Sequence, residues 1–333
     1  MKLDRDEQTV SEIAHASALW FEAEGICKLR LEPLANTGEG DVEVRTLYSG
    51  ISRGTEALIF NGQVPQSEFE RMRGPHMEGD FPFPVKYGYA AVGEIERGPS
   101  DLLGKVVFAL HPHQDRFILP AGRVTPLPDG LPARRAVLAA NMETALNIVW
   151  DAGIQPGDRV AVFGAGVVGA LVAYLSSRIA GTETVLVDRD VNRRDLAMGL
   201  GLTFAPSGGL EGEFDVLVNA TASAEALENA IAHAGLEARI VEASWYGDRS
   251  VAIPLGGAFH SRRLSLVSSQ VGAIPAMRRA RWTFSRRMAK AMELLLDIRL
   301  DRLISGETAF SELPAAYGRI LSAQDTLCHR IRY

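Results

Sequence analysis

Residues 159–188 read RVAVFGAGVVGALVAYLSSRIAGTETVLVD. Val160 to Phe163 is a short apolar run of the kind that forms a buried strand. Gly164-Ala-Gly166-Val167-Val168-Gly169 follows without a break. The apolar stretch Ala170 to Ile179 suits a helix packed beneath a sheet, and Thr184 to Val187 suits a second strand ending in Asp188. Strand, glycine turn, helix, strand and acid, in that order, are what a dinucleotide site requires. Gly164 permits the tight turn, Gly166 lets a pyrophosphate approach the backbone, and Gly169 lets the helix lie close to the strand. The first N–H groups of the helix, at Val167 and Val168, face the phosphates together with the positive end of the helix dipole. Asp188 lies 19 residues beyond Gly169, placed to accept hydrogen bonds from the adenosine ribose. The same carboxylate repels a 2′-phosphate and favours NAD. Arg189 and Arg193 keep NADP as the alternative, because guanidinium groups bind phosphate well.

The alternation continues downstream. Asp215–Asn219, Arg239–Ala243 and Leu264–Ser268 read as strands, and Ala224–His233 as a helix with Gly235 as its C-cap. Strands alternating with helices imply a parallel sheet covered on both faces. Asn219, Ala243, Ser244 and Ser269 then lie at the carboxyl ends of strands, where open α/β sheets bind cofactors. Ahead of this region, Pro128-Asp-Gly130 is a turn and residues 133–152 read as helix, with a break expected near Asn141. Upstream the chain is β-rich: residues 18–34, 42–48, 85–96, 105–110 and 117–120 suit strands, Ser49–Glu56 a polar turn, and residues 61–84 a loop. Residues 276–296 suit one helix carrying Arg278, Arg279, Arg281, Arg286, Arg287 and Lys290. That run reads as a solvated face, or else as an attraction for an anionic substrate or for cofactor phosphates.

With 333 residues, two domains are expected. A 47% hydrophobic and 23% charged composition places the chain among soluble globular proteins. A formal charge of −6 gives no case for nucleic acid or an anionic membrane. The N-terminal MKLDRDEQTV lacks the apolar core of a signal peptide, and no stretch is long and apolar enough to span a bilayer. Only Cys27 and Cys328 are cysteines, which suits a reducing compartment, and the expectation is a cytoplasmic protein.

A β-rich first part, a Rossmann unit after it and a C-terminal return resemble the medium-chain dehydrogenase/reductase superfamily. The resemblance rests on Ser49–Glu56, Gly88–Gly93, Pro156-Gly-Asp158 and the Gly164–Gly169 turn. Leu110-His-Pro-His-Gln114, Ser244-Trp-Tyr-Gly247 and Ser268-Ser-Gln-Val-Gly272 are similar to the group containing bacteriochlorophyllide hydroxyethyl dehydrogenases. The resemblance implies an α/β protein in two parts. A GroES-like catalytic domain comprises residues 1–127 and 274–333, and a Rossmann cofactor domain residues 128–273. It also implies that Arg53 contacts the pyrophosphate, that Thr55 contacts substrate or relays its proton, and that Thr144 sits near the nicotinamide.

The departures from that family carry equal weight. Zinc-dependent members have a cysteine where Ser52 stands, a His-Glu pair where Tyr89-Ala90 stand, and a further cysteine near Ala140 or Asn141. Zinc sites need thiolate and imidazole donors at close spacing, so no metal is expected. The expected activity is a zinc-independent, NAD(P)-dependent interconversion of an alcohol and a carbonyl, with a small-molecule substrate. Reduction of an enone, or nucleotide binding without turnover, stands as the alternative. Without zinc, the candidates for stabilising a developing oxyanion are Tyr89 or His111, assisted by Thr55. His113 reads as a loop residue and Glu56 as a carboxylate holding Arg53. His76, His111 and His113 have no carboxylate or thiolate at recognisable ligand spacing, and His260 reads as structural, with the arginines beside it at 262 and 263 placed to meet an anion. The strand at 264–268 should lie at the sheet edge, where a two-fold partner would cover it and make a homodimer.

Overall fold

A computed structural model describes residues 14–333; the expectations for residues 1–13 lie outside it. Its second half is built on a six-stranded sheet. In spatial order the strands are Thr203–Pro206, Glu183–Asp188, Arg159–Phe163, Phe214–Asn219, Ala234–Glu242 and Ser265–Ser268. Every pairing in it is parallel. The central strand shows why both faces are apolar. Val160 and Val162 point into a core shared with helices Ala139–Ala152 and Val167–Ser176, while Ala161 and Phe163 point into one shared with helix Ala224–His233. Side chains alternate across a strand, so a strand buried on both sides must be apolar throughout.

The remaining strands form two antiparallel-rich sheets. One joins Ile304–Ala309, Cys328–Arg332, Asp41–Ile51, Ala91–Arg97, Val106–Ala109 and Val124–Pro126, with Arg116–Pro120 also paired to Asp41–Ile51. The other joins Ile26–Pro33, His15–Ala23, Val85–Lys86 and Glu78–Gly79. The C-terminal strand runs antiparallel to Asp41–Ile51, so the chain's end is built into a sheet begun by its first part.

Several local expectations need correction. Ser49–Glu56 is not a turn: the strand continues to Ile51, and Arg53–Phe60 is a helix. The helix over 133–152 breaks at Val137–Leu138, not at Asn141. Thr203–Pro206 is a strand that the sequence does not announce. Gly235 is no C-cap, because the helix ends at Ala234 in extended geometry and runs straight into the next strand. Residues 276–296 form two helices, Ala276–Arg279 and Phe284–Leu294, the second capped by Thr283, whose hydroxyl accepts from Arg286 N–H at 3.1 Å. Ser265–Ser268 does lie at the sheet edge. Both cysteines are free and buried, and burial pushes each thiol up to about 12. Among the described residues no helix is long and apolar enough to cross a membrane.

Candidate active site

The glycine turn joins strand Arg159–Phe163 to helix Val167–Ser176 and separates its three tasks cleanly. Gly164 adopts φ 103°, a region costly for any residue with a Cβ. A Cβ on Gly169 would lie 1.9 Å from the Gly164 carbonyl oxygen, so helix and strand touch through this residue. A Cβ on Gly166 would meet nothing within 4 Å. No side chain caps the helix at Gly166, which leaves its first N–H groups, at Val167 and Val168, facing that open space. Asp188 ends the neighbouring strand. Its Oδ2 accepts from Ala165 N–H at 2.6 Å and its Oδ1 from Asp190 N–H at 2.8 Å, which fixes the carboxylate beside the turn. An open backbone, an uncapped helix start and an adjacent carboxylate fit a dinucleotide.

Arg189 is exposed next to this carboxylate. Arg53 and Arg193 come from different parts of the chain and converge on one loop. Arg53 donates to the Ala323 carbonyl at 2.8 Å and Arg193 to the Gln324 carbonyl at 2.7 Å. Burial, and the nearby charge of Arg193, hold Arg53 below the usual arginine value. A cavity of about 270 Å³, lined by Asp190, Asn192, Arg193, Gln324 and Asp325, opens beside them. Arg53 therefore does not pair with Glu56, contrary to the expectation from sequence.

At the carboxyl ends of the parallel strands, Asn219 donates to Glu242 Oε2 at 2.7 Å and to the Tyr246 hydroxyl at 3.1 Å. Ser244 N–H donates to Glu242 Oε1 at 2.9 Å, and Ala243 N–H to the Asn219 carbonyl at 2.9 Å. Burial raises the Glu242 carboxyl, and burial together with the Glu242 charge pushes Tyr246 up to about 12. Neither Glu242 nor Tyr246 stands out in the sequence, although both sit within the strand-end segment that does. Ser269 donates to Asp151 Oδ2 at 2.6 Å, and Thr144 bonds back to the Ala140 carbonyl at 2.9 Å.

The hydroxyls expected to meet substrate do come together. Tyr89 OH donates to Ser52 Oγ and lies 3.3 Å from Thr55 Oγ1. All three residues are partly exposed. Burial of its ring, reinforced by the charge of Glu56, raises the Tyr89 phenol above its ordinary value, although the bonds to Ser52 and Thr55 act the other way. It is therefore a neutral donor at physiological pH. His111 is not part of this cluster. Its ring stacks on Phe117 at 4.0 Å and near His76 at 5.7 Å, and its Nδ1 lies 3.0 Å from the Pro112 carbonyl oxygen. Burial pushes it down to about 3, so the ring is neutral. A carbonyl only accepts, so Nδ1 carries the hydrogen and Nε2 has none to give.

Directly behind the hydroxyls lies a network that the sequence did not disclose. Glu56 is fully buried. Its Oε1 accepts from Ser52 N–H at 2.7 Å, and its Oε2 accepts from His113 Nε2 at 2.9 Å and from the Tyr317 hydroxyl. His113 Nδ1 lies 2.8 Å from Ser49 Oγ, which shares a 2.9 Å hydrogen bond with the Tyr333 hydroxyl. His113 lies in the connection between strands Val106–Ala109 and Arg116–Pro120, as expected, but its side chain is fully buried in the core. His260 is exposed on a short helix, and its neighbours Arg262 and Arg263 pair with Glu213 and Glu237.

The donor set does not fit zinc. Ser52 and Tyr89 offer neutral hydroxyls already bonded to each other, Ala140 offers none, and the described residues hold no group of three His, Cys, Asp or Glu side chains arranged for a metal.

Comparison with known proteins agrees with this architecture. No family model matches the chain. The D-guloside 3-dehydrogenase of Escherichia coli K12 is 24% identical over 309 aligned positions, covering 83% of this chain and 88% of that protein. Among solved structures, an alcohol dehydrogenase of Escherichia coli CFT073 in complex with NADH superposes with a TM-score of 0.75 at 16% identity, over 96% of this chain and 99% of its own. A dehydrogenase of Sinorhizobium meliloti 1021, named for zinc binding and bound to NADP, gives 0.76 at 18%, over 96% and 100%. These structures share a Rossmann sheet joined to a GroES-like part, and the open glycine turn of this chain lies at the corresponding switch point of the sheet, where doubly wound folds bind nucleotides. The chain is thus similar in sequence to a named dehydrogenase and shares the fold of solved alcohol dehydrogenase-type structures, which agrees with the resemblance to the medium-chain dehydrogenase/reductase superfamily.

Proposed function

We propose that this oxidoreductase interconverts an alcohol and a carbonyl without zinc, in a GroES-like part (residues 1–127 and 274–333) and a Rossmann part (128–273). The observation that carries the reading is the Ser52–Thr55–Tyr89 hydroxyl cluster; the resemblance puts metal ligands of zinc-dependent members at Ser52 and Tyr89, and here both positions carry hydroxyls. The bound nicotinamide supplies the hydride chemistry. The chain's own residues place the reactants and stabilise charge on the substrate oxygen. Tyr89, a neutral phenol, donates to that oxygen, and Thr55 assists. His111 has no free N–H in its present tautomer, so it takes the lesser part. Arg53, Gly164–Gly169 and Asp188–Arg193 hold the adenosine half of the cofactor, while Thr144, Asn219, Ala243, Ser244 and Ser269 face the nicotinamide half.

One relative is named for oxidising a sugar hydroxyl, so polyhydroxylated secondary alcohols and their ketones are the first substrates to try. Incubating the protein with reduced cofactor and separate ketone and enone panels tests the reaction. Cofactor consumption with ketones supports the reading. Consumption with enones alone identifies a double-bond reductase, and cofactor binding without any turnover identifies a nucleotide-binding protein.

NAD is the proposed cofactor over NADP. Asp188 stands where a 2′-phosphate meets a negative charge, and Arg193 is already engaged by Gln324. Titration should show NADH binding at least tenfold tighter than NADPH; the reverse order overturns the assignment. The protein is further proposed to be a cytoplasmic homodimer, because Ser265–Ser268 leaves an edge for a second copy. Light scattering at micromolar concentration should give twice the 36.1 kDa chain mass, and a monomer mass contradicts it.

A further inference from the structure

Arg287 falls in a run whose sequence suits a solvated helix face, yet it is 2% exposed and heads the fully buried side chains. Burying a guanidinium is costly unless every face of it is satisfied. Here each of its three nitrogens has an acceptor, so three of the five N–H groups are bonded. Nε donates to Glu143 Oε1 at 3.0 Å, Nη1 to Asn147 Oδ1 at 2.5 Å, and Nη2 to the Val271 carbonyl at 2.7 Å. The first two partners stand on helix Ala139–Ala152, either side of Thr144. The third belongs to the loop that follows the edge strand. That loop is tied to the same helix a second time. Asn147 donates to Asp151 Oδ2 at 3.0 Å and to the Gln270 carbonyl at 3.4 Å, and Ser269 donates to the same Asp151 oxygen at 2.6 Å.

We propose that Arg287 is a positioning residue for the nicotinamide. It locks the helix carrying Thr144 and the loop carrying Ser269 into one rigid wall, although it comes from a different helix, Phe284–Leu294. The inference rests on the reading that Thr144 and Ser269 face the nicotinamide. A lysine cannot replace the fork, because a single ammonium does not reach three acceptors set around a planar guanidinium. A general core role predicts equal weakening of every ligand; a positioning role predicts loss confined to the nicotinamide end.

The test compares NADH with ADP-ribose, which lacks the nicotinamide, by calorimetric titration of the full chain. Arg287→Lys should weaken NADH at least tenfold and leave ADP-ribose within twofold. If that variant fails to fold, Asn147→Ala, which removes one acceptor and keeps the charge pair, should show the same selective loss at smaller size. Equal weakening of both ligands, or no change in either, overturns the proposal. If the wild-type chain binds NADH no more tightly than ADP-ribose, the placement of Thr144 and Ser269 is what fails, and the inference falls with it.

Discussion

Gly169→Ala is expected to destabilise the Rossmann half by about 3 kcal/mol or more and to abolish cofactor binding. The added methyl would sit 1.9 Å from the Gly164 carbonyl oxygen, with the next contact, the Gly164 carbonyl carbon, at 3.1 Å. Both are backbone atoms at a strand end, so no side chain can rotate away to make room. Helix and strand must separate, and the uncapped N–H groups leave the phosphates. Gly166→Ala is the contrasting case. Its methyl would enter open space, so the melting temperature should not move, while the pyrophosphate loses its approach and NADH affinity falls at least tenfold. Thermal melts and titrations of the two variants separate packing from binding. A Gly169→Ala protein with wild-type melting temperature and affinity contradicts these roles for the turn.

Tyr89→Phe is expected to lower turnover on an identified ketone by about 10²- to 10³-fold, the 2.7–4 kcal/mol typical of losing one fixed donor to a developing oxyanion. Hydride addition to a carbonyl places charge on oxygen. The Tyr89 phenol is a neutral donor whose partners among the described residues are the Ser52 and Thr55 hydroxyls, which can re-form around a substrate. Its pKa is raised by burial and by Glu56, so it gives a hydrogen bond and not a negative charge. NADH affinity should stay within twofold, because no part of the nucleotide cradle depends on the phenol. Unchanged turnover in Tyr89→Phe removes the proposed donor.

The parts of this protein that are legible in sequence are those set by local spacing. The glycine turn, the helix after it and the acid at 188 lie within 30 residues, and each is dictated by backbone geometry that only particular residue types satisfy. The all-apolar strand at 160–163 announces a sheet covered on both faces for the same reason. Local rules fail where tertiary pairing outweighs them. Gly235 looks like a helix stop, but Ala234 pairs with Phe214 and the chain is drawn into the sheet at once. Thr283 is a helix cap concealed by a run of arginines, and Arg287 finds Glu143 across 144 positions. The site divides the same way. Ser52, Thr55 and Tyr89 are recognisable from motif positions, and they do come together. Glu56 reads as a partner of its neighbour Arg53, but its partners His113 and Tyr317 lie 57 and 261 positions away, distances over which no sequence pattern carries information.

Hydride transfer without zinc is tested most directly by measuring turnover and metal content on one chelator-treated sample. A zinc-free mechanism predicts that the dialysed protein consumes NADH with its ketone substrate at the untreated rate while holding far less than one zinc per chain. Loss of that rate on chelation, with recovery on adding zinc, contradicts it.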